Sequence, residues 1–64
     1  MVRYRITTTA GEGVEQTWVL LPDQASAVMQ AEEHANREKT VHVRVYREET
    51  GLDRELVLDL PARA

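Results

Sequence analysis

The sequence predicts an α+β domain of order ββαββ, with one helix covering one face of a four-stranded sheet. Three observations predict it. Four short segments alternate apolar and polar residues with a period of two, as half-buried strands do. Glycine-bearing breaks join those segments into two hairpins, and a stretch free of Gly and Pro separates the hairpins.

The first strand is Val2 to Thr8, with Val2, Tyr4 and Ile6 on one face and Arg3, Arg5 and Thr7 on the other. Ala10-Gly11-Glu12-Gly13 breaks the alternation with two glycines, as a hairpin loop needs where φ turns positive. The second strand runs from Val14 to about Leu21 and stops at Pro22, which has no N–H for a ladder. Asp23 follows as a helix N-cap, and Gln24 to about Asn36 are adequate helix formers. The expected buried stripe is Ala25, Val28, Ala31 (or Glu32 beside it) and Ala35, flanked by Ala27 and Met29. The third strand, Thr40 to about Glu48, turns Val41, Val43 and Val45 inward and His42, Arg44 and Tyr46 outward. Thr50-Gly51 marks the second turn. The fourth strand, Arg54 to Leu60, places Leu56, Leu58 and Leu60 on the core face, with Glu55, Val57 and Asp59 opposite. Pro61 ends it, and residues 61–64 read as a frayed tail on a single domain ordered over about 2–60.

Composition narrows the function classes. A chain of 64 residues is one domain at most, near the lower limit for independent folding. There are no cysteines, so neither a disulfide framework nor a Cys-ligated zinc supports the core, and an oligomer is one remaining source of stability. No wholly apolar run exceeds Trp18-Val19-Leu20-Leu21, far short of the roughly 20 residues of a membrane span. Arg3 and Arg5 break up any signal-peptide segment, so the expected location is cytoplasmic. The net charge of −3 argues against nucleic acid, whose ligands favour a basic excess. Seven of the eight basic residues are Arg, a bias expected of a GC-rich bacterial genome.

Two wirings satisfy the handedness rules. One places the strands in the order second-first-fourth-third, a mixed sheet with the first and fourth strands parallel at its centre. The other is wholly antiparallel, second-first-third-fourth. Opposite charges across a ladder are favourable and like charges are not. The first and third strands present Arg3, Arg5, His42 and Arg44, and the fourth presents Glu55 and Asp59. The mixed order is therefore preferred, leaving the second and third strands as edges.

In that order the layout from Val2 to Leu60 resembles the immunoglobulin-binding domains of streptococcal protein G, which have a β-grasp fold at nearly this length. The resemblance implies a fold alone, because no binding motif accompanies it. Ubiquitin-like sulfur carriers share that fold but act through a C-terminal Gly-Gly. This sequence has Pro61-Ala62-Arg63-Ala64 there, so their chemistry is not expected.

The constellation that could carry function lies on the sheet face away from the helix: Arg3, Arg5, His42, Arg44, Tyr46 and Val57. Trp18 joins it if the first loop is even in length, which turns the indole out near Arg5. An odd loop with a bulge turns it inward beside Tyr4 and Ile6, a better hydrophobic partition that also places Leu20 inside. Basic and aromatic sheet faces can stack single-stranded RNA, but a solvated face neutralised by Glu55 and Asp59 is the simpler expectation. His34 and His42 lack partners at ligand spacing, so no metal or cofactor is expected. Ser26 has no nearby histidine, and Gly11-x-Gly13 is too short for a phosphate loop. The expected function is a non-enzymatic module that binds a partner protein or itself through a sheet edge or the open face. The alternative is a nucleic-acid-binding regulator using Arg3, Arg5, Arg44 and Tyr46.

Overall fold

A computed structural model describes residues 1–63, and the expectation for Ala64 lies outside the described residues. The elements are β1 (Val2–Ala10), β2 (Gln16–Leu21), α1 (Gln24–Arg37), β3 (Val41–Glu49) and β4 (Glu55–Leu60). One helix packs on one face of a four-stranded antiparallel sheet of order β2-β1-β3-β4.

The α+β class and the ββαββ order are as expected, and the wiring is the antiparallel alternative rather than the mixed one. Register is the reason. A ladder opposes individual residues, not the summed charges of whole strands. In the β1–β3 pair Arg3 faces Glu48, Arg5 faces Tyr46, Thr7 faces Arg44 and Thr9 faces His42. No guanidinium meets another, so the repulsion that disfavoured this neighbour does not arise. Asp59 of β4 still lies opposite Arg44, on its other side. The edges are consequently β2 and β4, and the likeness to the β-grasp domains ends at element order.

Asp23 caps α1, its Oδ2 accepting from the Ser26 N–H at 2.9 Å. The buried stripe is Ala27, Ala31 and Ala35, spaced by four. Ala25 and Met29, expected on or beside it, are exposed. Small side chains let the helix lie close over β1 and β3, where Ile6, Val41, Val43 and Val45 complete the buried core. No residue in that core is larger than Ile, and Tyr4, Val19, Leu21, Val57, Leu58 and Leu60 pack at its margin.

Both hairpin turns use a glycine at positive φ, Gly11 and Gly51. Each outer strand carries one extra residue. In β2, Thr7 pairs with Thr17 and Ile6 with Val19, so Trp18 is unpaired. In β4, Val45 pairs with Leu58 and Tyr46 with Leu56, so Val57 is unpaired. An extra residue in one strand of a pair is a β-bulge, and it breaks the two-residue alternation of facing.

The bulge corrects the fourth strand. Val57 packs against the core instead of facing out, and Leu56 lies across from Tyr46 on the open face, 49% exposed. The backbone N–H of Arg63 donates to the Lys39 carbonyl, and its guanidinium donates to Asn36 Oδ1 at 3.0 Å. That seats a cation beside the C-terminal end of α1, where the helix dipole favours one. Among the described residues no helix is long and apolar enough to cross a membrane.

Candidate functional site: the open sheet face

The face opposite α1 is built from alternate residues of the two central strands: Arg5 and Thr7 of β1, and His42, Arg44, Tyr46 and Glu48 of β3. The alternation of β3 alone puts its four on one side. What organises them is a residue outside any strand. Glu15, the last loop residue before β2, turns its carboxylate under the sheet. Its Oε2 accepts from Thr7 Oγ1 at 3.0 Å, Tyr46 Oη at 3.2 Å and Arg44 Nη1 at 3.4 Å. Its Oε1 accepts from Arg54 Nη2 at 3.4 Å. The Arg54 guanidinium also lies over the Tyr46 ring, 4.0 Å from its centroid, a cation–π contact that covers the ring.

Two further pairs neutralise the rest. Arg5 grips Glu48 bidentately, with Nε to Oε2 at 2.7 Å and Nη2 to Oε1 at 3.1 Å, and its Nη1 donates to Thr17 Oγ1 at 2.7 Å. His42 Nε2 contacts Asp59 Oδ1, and Arg44 Nε is 3.6 Å from the same oxygen. The carboxylates respond accordingly. Burial pushes Glu15 up, but the hydrogen bonds from Thr7, Tyr46 and Arg44, with the charge of Arg54, outweigh it and hold Glu15 below the usual range. The hydrogen bond from Arg5 holds Glu48 down, and that from His42 holds Asp59 down. None is a carboxyl kept protonated for acid catalysis. Among the described residues no three of His, Asp and Glu gather as metal ligands.

Of the seven residues expected on this face, the structure brings together Arg5, His42, Arg44 and Tyr46. Arg3 is exposed at the sheet's end, opposite Glu48. Trp18 and Val57 lie elsewhere, because each is a bulge residue. Trp18 turns to the helix side, where its ring meets that of His34 edge-on, centroids 4.4 Å apart at 61°. It is not enclosed with Tyr4 and Ile6 and stays 42% exposed. Leu20, paired with Arg5 and 38% exposed, flanks the open face from β2.

Sequence reasoning missed Glu15, Glu48, Arg54 and Leu56 on this face. Glu48 shares the parity of His42, Arg44 and Tyr46, and that signal was available. Glu15 and Arg54, expected within the second and fourth strands, lie in the loops just before them, where strand periodicity does not give their facing. The neutralising carboxylates are thus Glu15, Glu48 and Asp59; Glu55 pairs with Arg47 instead, on the helix side of the sheet. No family model, curated protein or solved structure matches the chain.

Proposed function

We propose that this chain is a small non-enzymatic protein-interaction module of the bacterial cytoplasm, binding another protein or a second copy of itself. The observation that carries the reading is where its apolar bulk lies. The buried apolar core is Ile6, three valines and three alanines, while Trp18, Leu20, Leu56 and Met29 are all exposed. A domain this small has little core to spare, and covering those side chains would add the burial that it lacks.

The ion pairs favour a protein over nucleic acid as the partner. Arg5, Arg44 and Arg54 already hold carboxylates, and Arg54 covers the Tyr46 ring. A phosphate or a stacking base would first have to displace those groups. The test is sedimentation velocity at micromolar concentrations, beside a titration with a single-stranded oligonucleotide at low salt followed by the Tyr46 and Arg44 resonances. Association of the protein without an oligonucleotide response is expected. Oligonucleotide binding that weakens steeply with salt, by a chain that stays monomeric, would overturn the reading in favour of a nucleic-acid regulator.

A further inference from the structure

We propose that β2 is the interaction surface and that its occupant is the β2 strand of a second copy, paired antiparallel to give one eight-stranded sheet. This rests on the protein-interaction reading above and names its surface and partner.

The first support is chemical. Gln16-Thr17-Trp18-Val19-Leu20-Leu21 contains no charge, no proline and no glycine, the composition of an edge strand without protection. The nearest acids are occupied elsewhere: Glu15 is drawn to Thr7, Tyr46, Arg44 and Arg54, and Asp23 caps α1. No carboxylate guards the edge, and Pro22 limits pairing to these six residues.

The second support is symmetry. Residues opposed across an antiparallel ladder share a face. A two-fold axis perpendicular to the sheet keeps both helices on the same side, so the strand's facing must read the same from either end. A regular six-residue strand meets this only in a register centred on one residue, which leaves an end residue without a partner. With the bulge all six can be opposed, because Trp18 and Val19 in succession face the helix side, with Thr17 and Leu20 open and Gln16 and Leu21 on the helix side again. The axis then falls between Trp18 and Val19. Trp18 meets the partner's Val19, Thr17 meets the partner's Leu20, and Gln16 meets the partner's Leu21. The contact covers the indole that His34 leaves half exposed.

β4 has the same facing pattern about Val57 and Leu58, and charge separates the two edges. Paired with itself, β4 would set Glu55 against Leu60 and Asp59 against Leu56, bringing four carboxylates against leucines, a desolvation that the uncharged β2 does not incur. The selection of β2 therefore rests on its lack of charge together with its symmetry.

The experiment is amide hydrogen exchange by NMR on the full chain at several concentrations, alongside sedimentation equilibrium. A doubling of mass is expected, with protection of Gln16–Leu21 amides rising with concentration while Glu55–Leu60 amides do not change. Trp18→Lys places two like charges beside the axis and should raise the dissociation constant on the order of tenfold or more. The exchange measurement on the unaltered chain stands even if that variant folds poorly. A chain monomeric at the highest concentration overturns the proposal. So does a dimer protected at β4 or on the open face, although the interaction reading itself would survive that outcome.

Discussion

The two hairpins are built on one plan and finished differently. Each pairs a nine-residue inner strand with a six-residue outer strand, and each outer strand carries one bulge. In β4 the bulge residue, Val57, packs on the core, and Glu55 and Asp59 flank it with charge. In β2 the bulge residue, Trp18, stays half exposed against His34, and no charge flanks it within the strand. A bulge by itself therefore does not decide whether an edge is protected; the side chains around it do.

The largest expected difference lies within β4. Val57→Asp should cost about 2–3 kcal/mol by urea denaturation, because it sets a carboxylate against the apolar core. Leu56→Asp should cost about 0.5 kcal/mol or less, since that position is on the open face. Unbroken alternation would predict the reverse ranking, so equal or inverted costs would remove the bulge from the account.

An intermediate effect is expected where the first hairpin is tied to the rest of the sheet. Glu15→Gln keeps a hydrogen-bonding side chain but loses its charge toward Arg44 and Arg54, at a cost of about 1 kcal/mol at neutral pH. Its pH dependence is more diagnostic than its size. Glu15, Glu48 and Asp59 are all depressed in the folded state. Their contribution is present above the ordinary carboxylate range and is lost as pH falls through their lowered values. Denaturation midpoints should therefore fall on acidification. Glu15→Gln should flatten the part owed to the first hairpin, and Asp59→Asn the part owed to the second. If neither variant changed the slope, the network would be a surface decoration.

The helix between the hairpins gives a comparable effect that should fall equally on both. Asp23→Ala removes the acceptor for the Ser26 N–H and should cost about 1 kcal/mol, measured by thermal or urea unfolding. It should leave the exchange rates of β2 and β4 amides in the same ratio. A selective loss of β2 protection would mean that the turn at Pro22-Asp23, rather than β1, holds that edge.

These contrasts also explain what the sequence could reveal. β3 was plain because it is a central strand with an unbroken alternation from Val41 to Glu48, and α1 was plain because Asp23, a Gly- and Pro-free run and the alanines agree. The bulges were illegible because Trp18 and Val57 are acceptable on either side of a sheet, so nothing marks the extra residue. Whole-strand charge favours the mixed order, and the antiparallel alternative forms because opposition is residue by residue. Pairing Arg3 with Glu48 and Thr7 with Arg44 needs the register, which pattern alone does not give. On the open face, Arg5, His42, Arg44 and Tyr46 followed from parity. Their partner Glu15 did not, because a loop carboxylate turns back through tertiary structure alone.

The most direct test of the contrast between edges is a matched pair of charges on the open face, Leu20→Asp on β2 and Leu56→Asp on β4. The two leucines have similar exposure and lie opposite the central-strand residues Arg5 and Tyr46, respectively, so both variants should fold. Sedimentation equilibrium should show Leu20→Asp shifting the protein toward monomer while Leu56→Asp associates like the parent chain. Equal behaviour of the two variants, or weaker association only for Leu56→Asp, would contradict the account.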